Sequence, residues 1–287
     1  MLKQKDLSTR IATASLIDEL SLGAAFAPEQ ERVGTELAHF FYSHGSKAKL
    51  HPVKSLIWSK LSYVLGIVHP ANTGLQRKEE LVAQKAFFDT IWDFPLVEVV
   101  QTLGDAEPPE KDFDAIATKL NEGSAAHADE IRSFEQVYMH EIEGCLSLYV
   151  STARAILEGM FERATGAPPQ STEDKRRAHE KELLGFFVQC FKKKEVRKQL
   201  PTIHVHALCH AAVRWNKRQR IEGNDLFDFH HAAAAIPYCD SFLTESPLRT
   251  MLQSKHLGIQ ADFPCVVISS ESEAAQYLES MPPLEQQ

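Results

Sequence analysis

The chain lacks a CxxC pair, a glycine-rich phosphate loop, a serine or cysteine nucleophile motif and any repeated or low-complexity tract. Each absence removes a class of function. The five cysteines (Cys145, Cys190, Cys209, Cys239 and Cys265) are odd in number, scattered and mostly set in apolar runs. A structural zinc held by thiolates is therefore not expected, and a reducing compartment fits best. Without a phosphate loop or an activated nucleophile, ATP-dependent and covalent chemistry have no support. No apolar run reaches the roughly 18 residues of a membrane span, and Met1–Asp6 lacks the apolar core of a signal peptide. The expectation is a cytoplasmic protein with no membrane partner.

What is present reads as globular. With 287 residues, 44% hydrophobic and 24% charged, the chain can build one large or two ordinary domains with a sizeable core. A net charge of −8 argues at first sight against nucleic acid. Its distribution argues the other way. Between Lys175 and Arg220 stand thirteen Lys/Arg against three Glu, a local +10 that leaves −18 for the remainder. The cations come as Lys175-Arg176-Arg177, Lys192-Lys193-Lys194, Arg197-Lys198, and Arg214 with Lys217, Arg218 and Arg220. Such a block is either a phosphate-binding surface or a solvated helical face.

Along the chain, residues 8–45 read as helical, with Pro28-Glu29 as the first turn of a second helix. Residues 13–18 also allow a short strand ending in Asp18. Residues 52–70 show a mostly helical apolar spacing, and 76–104 a helix interrupted at Pro95. Gly104–Lys111 reads as a linker. Two helices follow over 112–164, then the clearest break in the chain, Ala164–Asp174, and a basic helix Lys175–Gln199 that stops before Pro201. The division drawn from this is a mostly helical region, 1–165, and an α/β part, 175–287.

The densest chemistry lies in Asn224–Glu245, where Asp225, Asp228, Asp240 and Glu245 surround a short alanine-rich helix that runs into an apolar strand, 241–244. Asp225 and Asp228 are three apart, so a helix puts both on one face. Acids gathered at the C-terminal edge of a parallel sheet commonly hold a divalent metal. Capping of a helix by Asn224 or Asp225, and a turn at Asp240, is the structural alternative.

The pattern Asp228-x15-Thr244-Glu245, with Tyr-Cys-Asp before the strand and Cys265–Ile268 followed by a helix Glu273–Met281, resembles the C-terminal half of a PIN-like nuclease domain over residues 200–282. The resemblance implies an α/β fold, with a small PIN-like parallel sheet in the C-terminal part beside the large helical N-terminal region. It implies a metal-dependent nuclease, more an endoribonuclease than a DNase, using Mg²⁺ or Mn²⁺. In that reading Asp225, Asp228 and Asp240 hold the metal, and Asp228, Asp240 and Glu245 are catalytic. Lys192, Lys193, Lys194, Arg214, Lys217 and Arg218 hold the nucleic acid. A toxin or antiviral context follows from the family as well. Ser246 stands where the family often has an acid, and the acid of the family's first strand is sought at Asp18, Glu36 or Glu141.

Other readings stay open. His206 and His210, at i and i+4 with His204, His230 and His231 nearby in sequence, have a spacing that can chelate zinc or contact phosphate. Trp215, among Arg214, Lys217 and Arg218, is either a core residue or a base-stacking platform. The competing function is a non-catalytic helical interaction protein on a degenerate PIN-like scaffold, and homo-oligomerisation or a partner protein is left open.

Overall fold

The computed structural model describes residues 6–45, 49–61, 63, 73–104 and 112–282. Among them the chain is mostly helical, with two small two-stranded sheets. It forms two compact units, Met1–Arg32 with His51–Lys111, and Val33–Leu50 with Asp112–Gln287. No helix among the described residues is long and apolar enough to cross a membrane. In chain order the elements up to residue 104 are α1 (Leu7–Ser21), β1 (Ala24–Phe26), α2 (Glu29–Gly45), β2 (Trp58–Lys60), α3 (Arg77–Ile91) and α4 (Leu96–Leu103).

In the first unit α1 starts where the Asp6 carboxylate accepts from Thr9 N at 2.7 Å and from the Ser8 and Thr9 hydroxyls. These bonds hold the Asp6 carboxyl down at about 2. The α1 helix packs on α4 around Ala14, Leu96 and Val100. Pro95 precedes α4 and has no side-chain acceptor to cap it. Asp18 does so from α1, accepting from Leu96 N and Val97 N at 2.9 Å each. After α1, Leu22 and Gly23 both take positive φ and turn the chain into β1. Strand β1 pairs antiparallel with β2, Phe26 opposite Trp58, and the two rings stack at 4.2 Å.

This pairing corrects the helix expected over 52–70. Val53–Ser55 is a single 3₁₀ turn and Trp58–Lys60 a strand, because Ala27 N takes the Ile57 carbonyl and the aromatic pair forms across the strands. Residues 64–70 lie outside the described residues, as does most of the expected linker. The break expected at Pro95 is where α3 gives way to α4.

The second unit continues with α5 (Phe113–Ala126), α6 (Phe134–Thr165), α7 (Glu173–Cys190), α8 (Lys194–Gln199), α9 (Pro201–Trp215) and α10 (Gly223–Ala235). Then follow β3 (Ser241–Leu243), α11 (Ser246–Leu252), α12 (Ile259–Asp262), β4 (Val266–Ile268) and α13 (Glu271–Ser280). Helix α6 packs on α7 and α9, across the break at 166–172 where the chain was expected to divide. The axis of the unit is α9. From Pro201 to Val213 it carries no Asp, Glu, Lys or Arg, and every one of these residues is buried. Phe187, Phe191 and Phe229 are fully buried in the same core, each contributing about 1.5–3 kcal/mol by burial. The single basic helix expected over 175–199 is two helices. The chain turns at Phe191–Lys193, and Arg197 Nε donates to the Phe191 carbonyl at 2.8 Å.

Helix α10 is fixed at its start. Asn121 donates to the Ile221 carbonyl at 2.8 Å and accepts from Ile221 N at 2.9 Å. Gly223 lies so close to Asp114 that an added Cβ would come within 3.1 Å of its backbone nitrogen. The alanines Ala232, Ala233 and Ala235 are buried, pressed mainly on α9 with β3 a lesser neighbour. They were expected to pack on the sheet. That sheet is present: β3 and β4 are parallel, Ser241 opposite Val266 and Leu243 opposite Ile268, and Thr244 N reaches the Ile268 carbonyl at 2.8 Å. It has two strands, joined by a crossover through α11 and α12.

Candidate functional site

Asp228 sits half-buried in the middle of α10. Its carboxyl is raised above the ordinary carboxylate range, first by burial, then by the charge of Glu245 and that of Asp225, with His231 opposing. Three of the four acids singled out by sequence are therefore electrostatic neighbours. Glu245 is exposed and stands at the N-cap of α11, where its side chain makes no capping bond. Asp225 is partly employed: one carboxylate oxygen accepts from Glu222 N at 2.8 Å in a capping box, which fixes the first turn of α10. The N-cap is Glu222, so neither Asn224 nor Asp225 occupies that position.

Asp240 belongs to different surroundings. It is exposed, its backbone carbonyl takes Val266 N at 2.9 Å and the Tyr277 hydroxyl at 3.4 Å, and its charge acts on Cys265. The Cys265 thiol is pushed up to about 12, chiefly by burial, then by Cys239 and Asp240. No three of the four acids bring carboxylate oxygens within 4.8 Å of one another among the described residues. Ser246, in place of an acid, bonds Ser269 through its hydroxyl at 3.3 Å.

The three acids sought by sequence for a first strand, Asp18, Glu36 and Glu141, are all engaged by the chain. Asp18 caps α4. Glu141 pairs with Arg214 at 2.8 Å. Glu36 is fully buried and accepts from Thr202 N, from the Thr202 hydroxyl at 2.5 Å and from the Tyr238 hydroxyl at 2.5 Å. Each of these acids is engaged with donors of the chain, Glu36 in the interior and Asp18 and Glu141 in part-exposed positions.

The cations separate into two groups. Arg214, partly buried, is committed to Glu141. Lys217 and Arg218 are exposed and line a cleft of about 650 Å³ with Trp215, Pro247, Met251 and His256. Trp215 keeps 40% of its surface exposed, and Phe134 meets it edge-on at 6.3 Å. Helix α11 connects the two features: Glu245 stands at its start and Pro247, Thr250 and Met251 form one wall of the cleft. Lys192, Lys193 and Lys194 are exposed at the turn before α8, and Lys192 donates to Gln189 at 2.7 Å.

The histidines of α9 are core residues. His204, His206 and His210 are all buried. The Tyr138 hydroxyl lies 2.8 Å from His204 Nδ1, and Asp262 is 3.6 Å from Nε2. Burial lowers His204 to about 4, so the imidazole is neutral near pH 7. The His206 ring lies 4.9 Å from that of His210 and 4.6 Å from that of His230 on α10. The α11 wall of the cleft and the full burial of α9 were not expected. A signal for the second was present, the absence of any Asp, Glu, Lys or Arg between Pro201 and Val213. No family model, curated protein or solved structure matches the chain.

Proposed function

We propose that the protein is a cytoplasmic, metal-dependent nuclease acting on RNA, with Asp228 at its centre. The raised Asp228 carboxyl carries the reading. Burial, Glu245 and Asp225 all disfavour its charge, and a bound cation relieves all three. The donor set suits Mg²⁺ or Mn²⁺, which take hard oxygens and need only one or two carboxylates when substrate phosphate completes the shell. Asp228 and Glu245 would hold the ion, with the uncommitted oxygen of Asp225 beside them. Such an ion supplies a water of lowered pKa and neutralises charge on the phosphodiester. Asp240, placed with Cys265, has a lesser part than the resemblance assigned to it.

The chain's own groups bind and orient the strand. Trp215 offers an exposed face for a base, and Lys217 and Arg218 offer charge to the backbone, in the manner of single-strand grooves. Arg214, paired with Glu141, has a lesser part in phosphate binding than Lys217 and Arg218. Toxin or antiviral use goes with the PIN-like resemblance and with nothing else.

A second reading, the non-catalytic interaction protein, draws on one observation. Asp18, Glu36 and Glu141, the acids available to complete a PIN-like site, are all engaged elsewhere. Labelled single-stranded RNA incubated with Mn²⁺ and either the wild type or Asp228→Asn separates the two. Cleavage by the wild type alone supports the nuclease. Binding without cleavage by both proteins establishes the scaffold.

A further inference from the structure

His206 and His210 of α9, His230 of α10 and Cys145 of α6 lie near one another in the second unit, and the nuclease reading does not use them. Three imidazoles, that of His206 at their centre, and a thiol lie there. His206 and His210 stand one turn apart on α9, His230 faces them from α10, and the Cys145 Sγ of α6 lies 4.0 Å from His206 Nδ1. His206, His210 and Cys145 are buried and His230 is half-buried. Apolar cores rarely gather several imidazoles at one point, because each brings polar nitrogens that must be satisfied. Convergence from separate helices is what a metal centre requires.

We propose that His206 and His230 ligate a transition-metal ion of the zinc class. A ligand nitrogen of His206 and one of His230 lie within 4.8 Å of each other. Two imidazoles on one tetrahedral ion, each bound at about 2.0–2.1 Å, place their ring centres about 5 Å apart. The spacings of 4.6 Å and 4.9 Å around His206 are within a few tenths of that figure.

The donor type selects the ion. Neutral imidazoles suit Zn²⁺, Co²⁺, Ni²⁺ or Cu²⁺, whereas Mg²⁺ takes oxygen. The site is therefore chemically distinct from the carboxylates around Asp228. Cys145, against Nδ1 of His206, leaves Nε2 as the metal-binding nitrogen and acts as a positioning residue for that ring.

The test uses the full chain, stripped of metal by chelator and titrated with Co²⁺ and then Zn²⁺. One equivalent of Co²⁺ should bind with the intense visible absorption of a tetrahedral imidazole site, the signal read throughout, and Zn²⁺ should displace it and raise the thermal midpoint. His230→Gln, altered at the half-buried ligand, should keep its helical circular dichroism and weaken Co²⁺ binding by roughly 100-fold or more, beyond what loss of an outer partner produces. His231→Gln, at the exposed neighbour, should bind as the wild type does. No stoichiometric binding by the wild type overturns the proposal, as does binding that survives His230→Gln or is lost with His231→Gln. RNA cleavage with Mn²⁺ does not enter this readout, so the nuclease reading and the metal centre stand or fall separately.

Discussion

Helix α9 and the acid cluster at the start of α10 both carry titratable side chains, and the second unit treats them in opposite ways. Around Thr202 and His204 of α9, buried polar groups find partners in the chain. Glu36 accepts from Thr202 and Tyr238, and neutral His204 bonds Tyr138. Around Asp228 the groups are half-exposed and alike in charge, with only His231 opposing. A low-dielectric interior keeps a charge only if donors surround it, whereas a surface cluster of like charges persists at a cost in stability. The buried Glu36 carboxylate is satisfied from within. In the nuclease reading, the polarity around Asp228 is left for a cation.

The largest effect should come from breaking the satisfied region. Replacing Glu36 with Ala leaves the Thr202 and Tyr238 donors buried without an acceptor and opens a cavity. The expected loss is about 3–5 kcal/mol of stability, measured by urea unfolding. A loss below about 1 kcal/mol would remove Glu36 from the framework.

The pH response should separate the regions by sign. His204 falls from the ordinary 6.5 to about 4 on folding, so between these values the unfolded chain binds a proton the native one does not. Stability contributed by this group should fall as pH drops through that window, by ~3 kcal/mol in all. Asp228 is raised on folding, so the native state binds its proton first. Its contribution should rise as pH falls through its native value towards 3.8. Unfolding curves for His204→Gln and Asp228→Asn across pH 4–7 read the two slopes separately. Slopes of the same sign would contradict the contrast.

Smaller effects sharpen the surface side. Trp215→Ala should weaken single-stranded RNA binding by about 1–3 kcal/mol through lost stacking. Joint replacement of Lys217 and Arg218 by Ala should flatten the salt dependence of binding about equally for all sequences. Replacing Lys192, Lys193 and Lys194 should do less, since Lys192 is partly committed to Gln189 and none of the three lines the cleft. A larger loss from the lysine triplet would move the binding surface to the turn before α8.

Where local pattern decided the structure, it was legible in the sequence. The helices on either side of Pro95 and of the Ala164–Asp174 break, and the parallel pairing of 241–243 with 266–268, follow from periodicity, punctuation and short apolar runs. The pairing of β1 with β2 was not legible, because Trp58–Lys60 becomes a strand only through a partner more than thirty residues earlier. The candidate site was half legible. Spacing singled out Asp228, Glu245 and Asp225 and allowed Asp225 a capping part, yet nothing in it separates Asp240 from the other three. Arg214 read as a phosphate ligand because its partner, Glu141, lies 73 residues away in the chain.

Calorimetric titration of the full chain with Mn²⁺, in wild type and Asp228→Asn, tests the central claim most directly. One site should appear in the wild type and none in the variant, and without metal the variant should unfold at the same or a slightly higher temperature, since a repelled carboxylate has been removed. Equal Mn²⁺ binding by both proteins, or a metal-free variant that melts many degrees lower, would show that Asp228 serves the fold and not a cation.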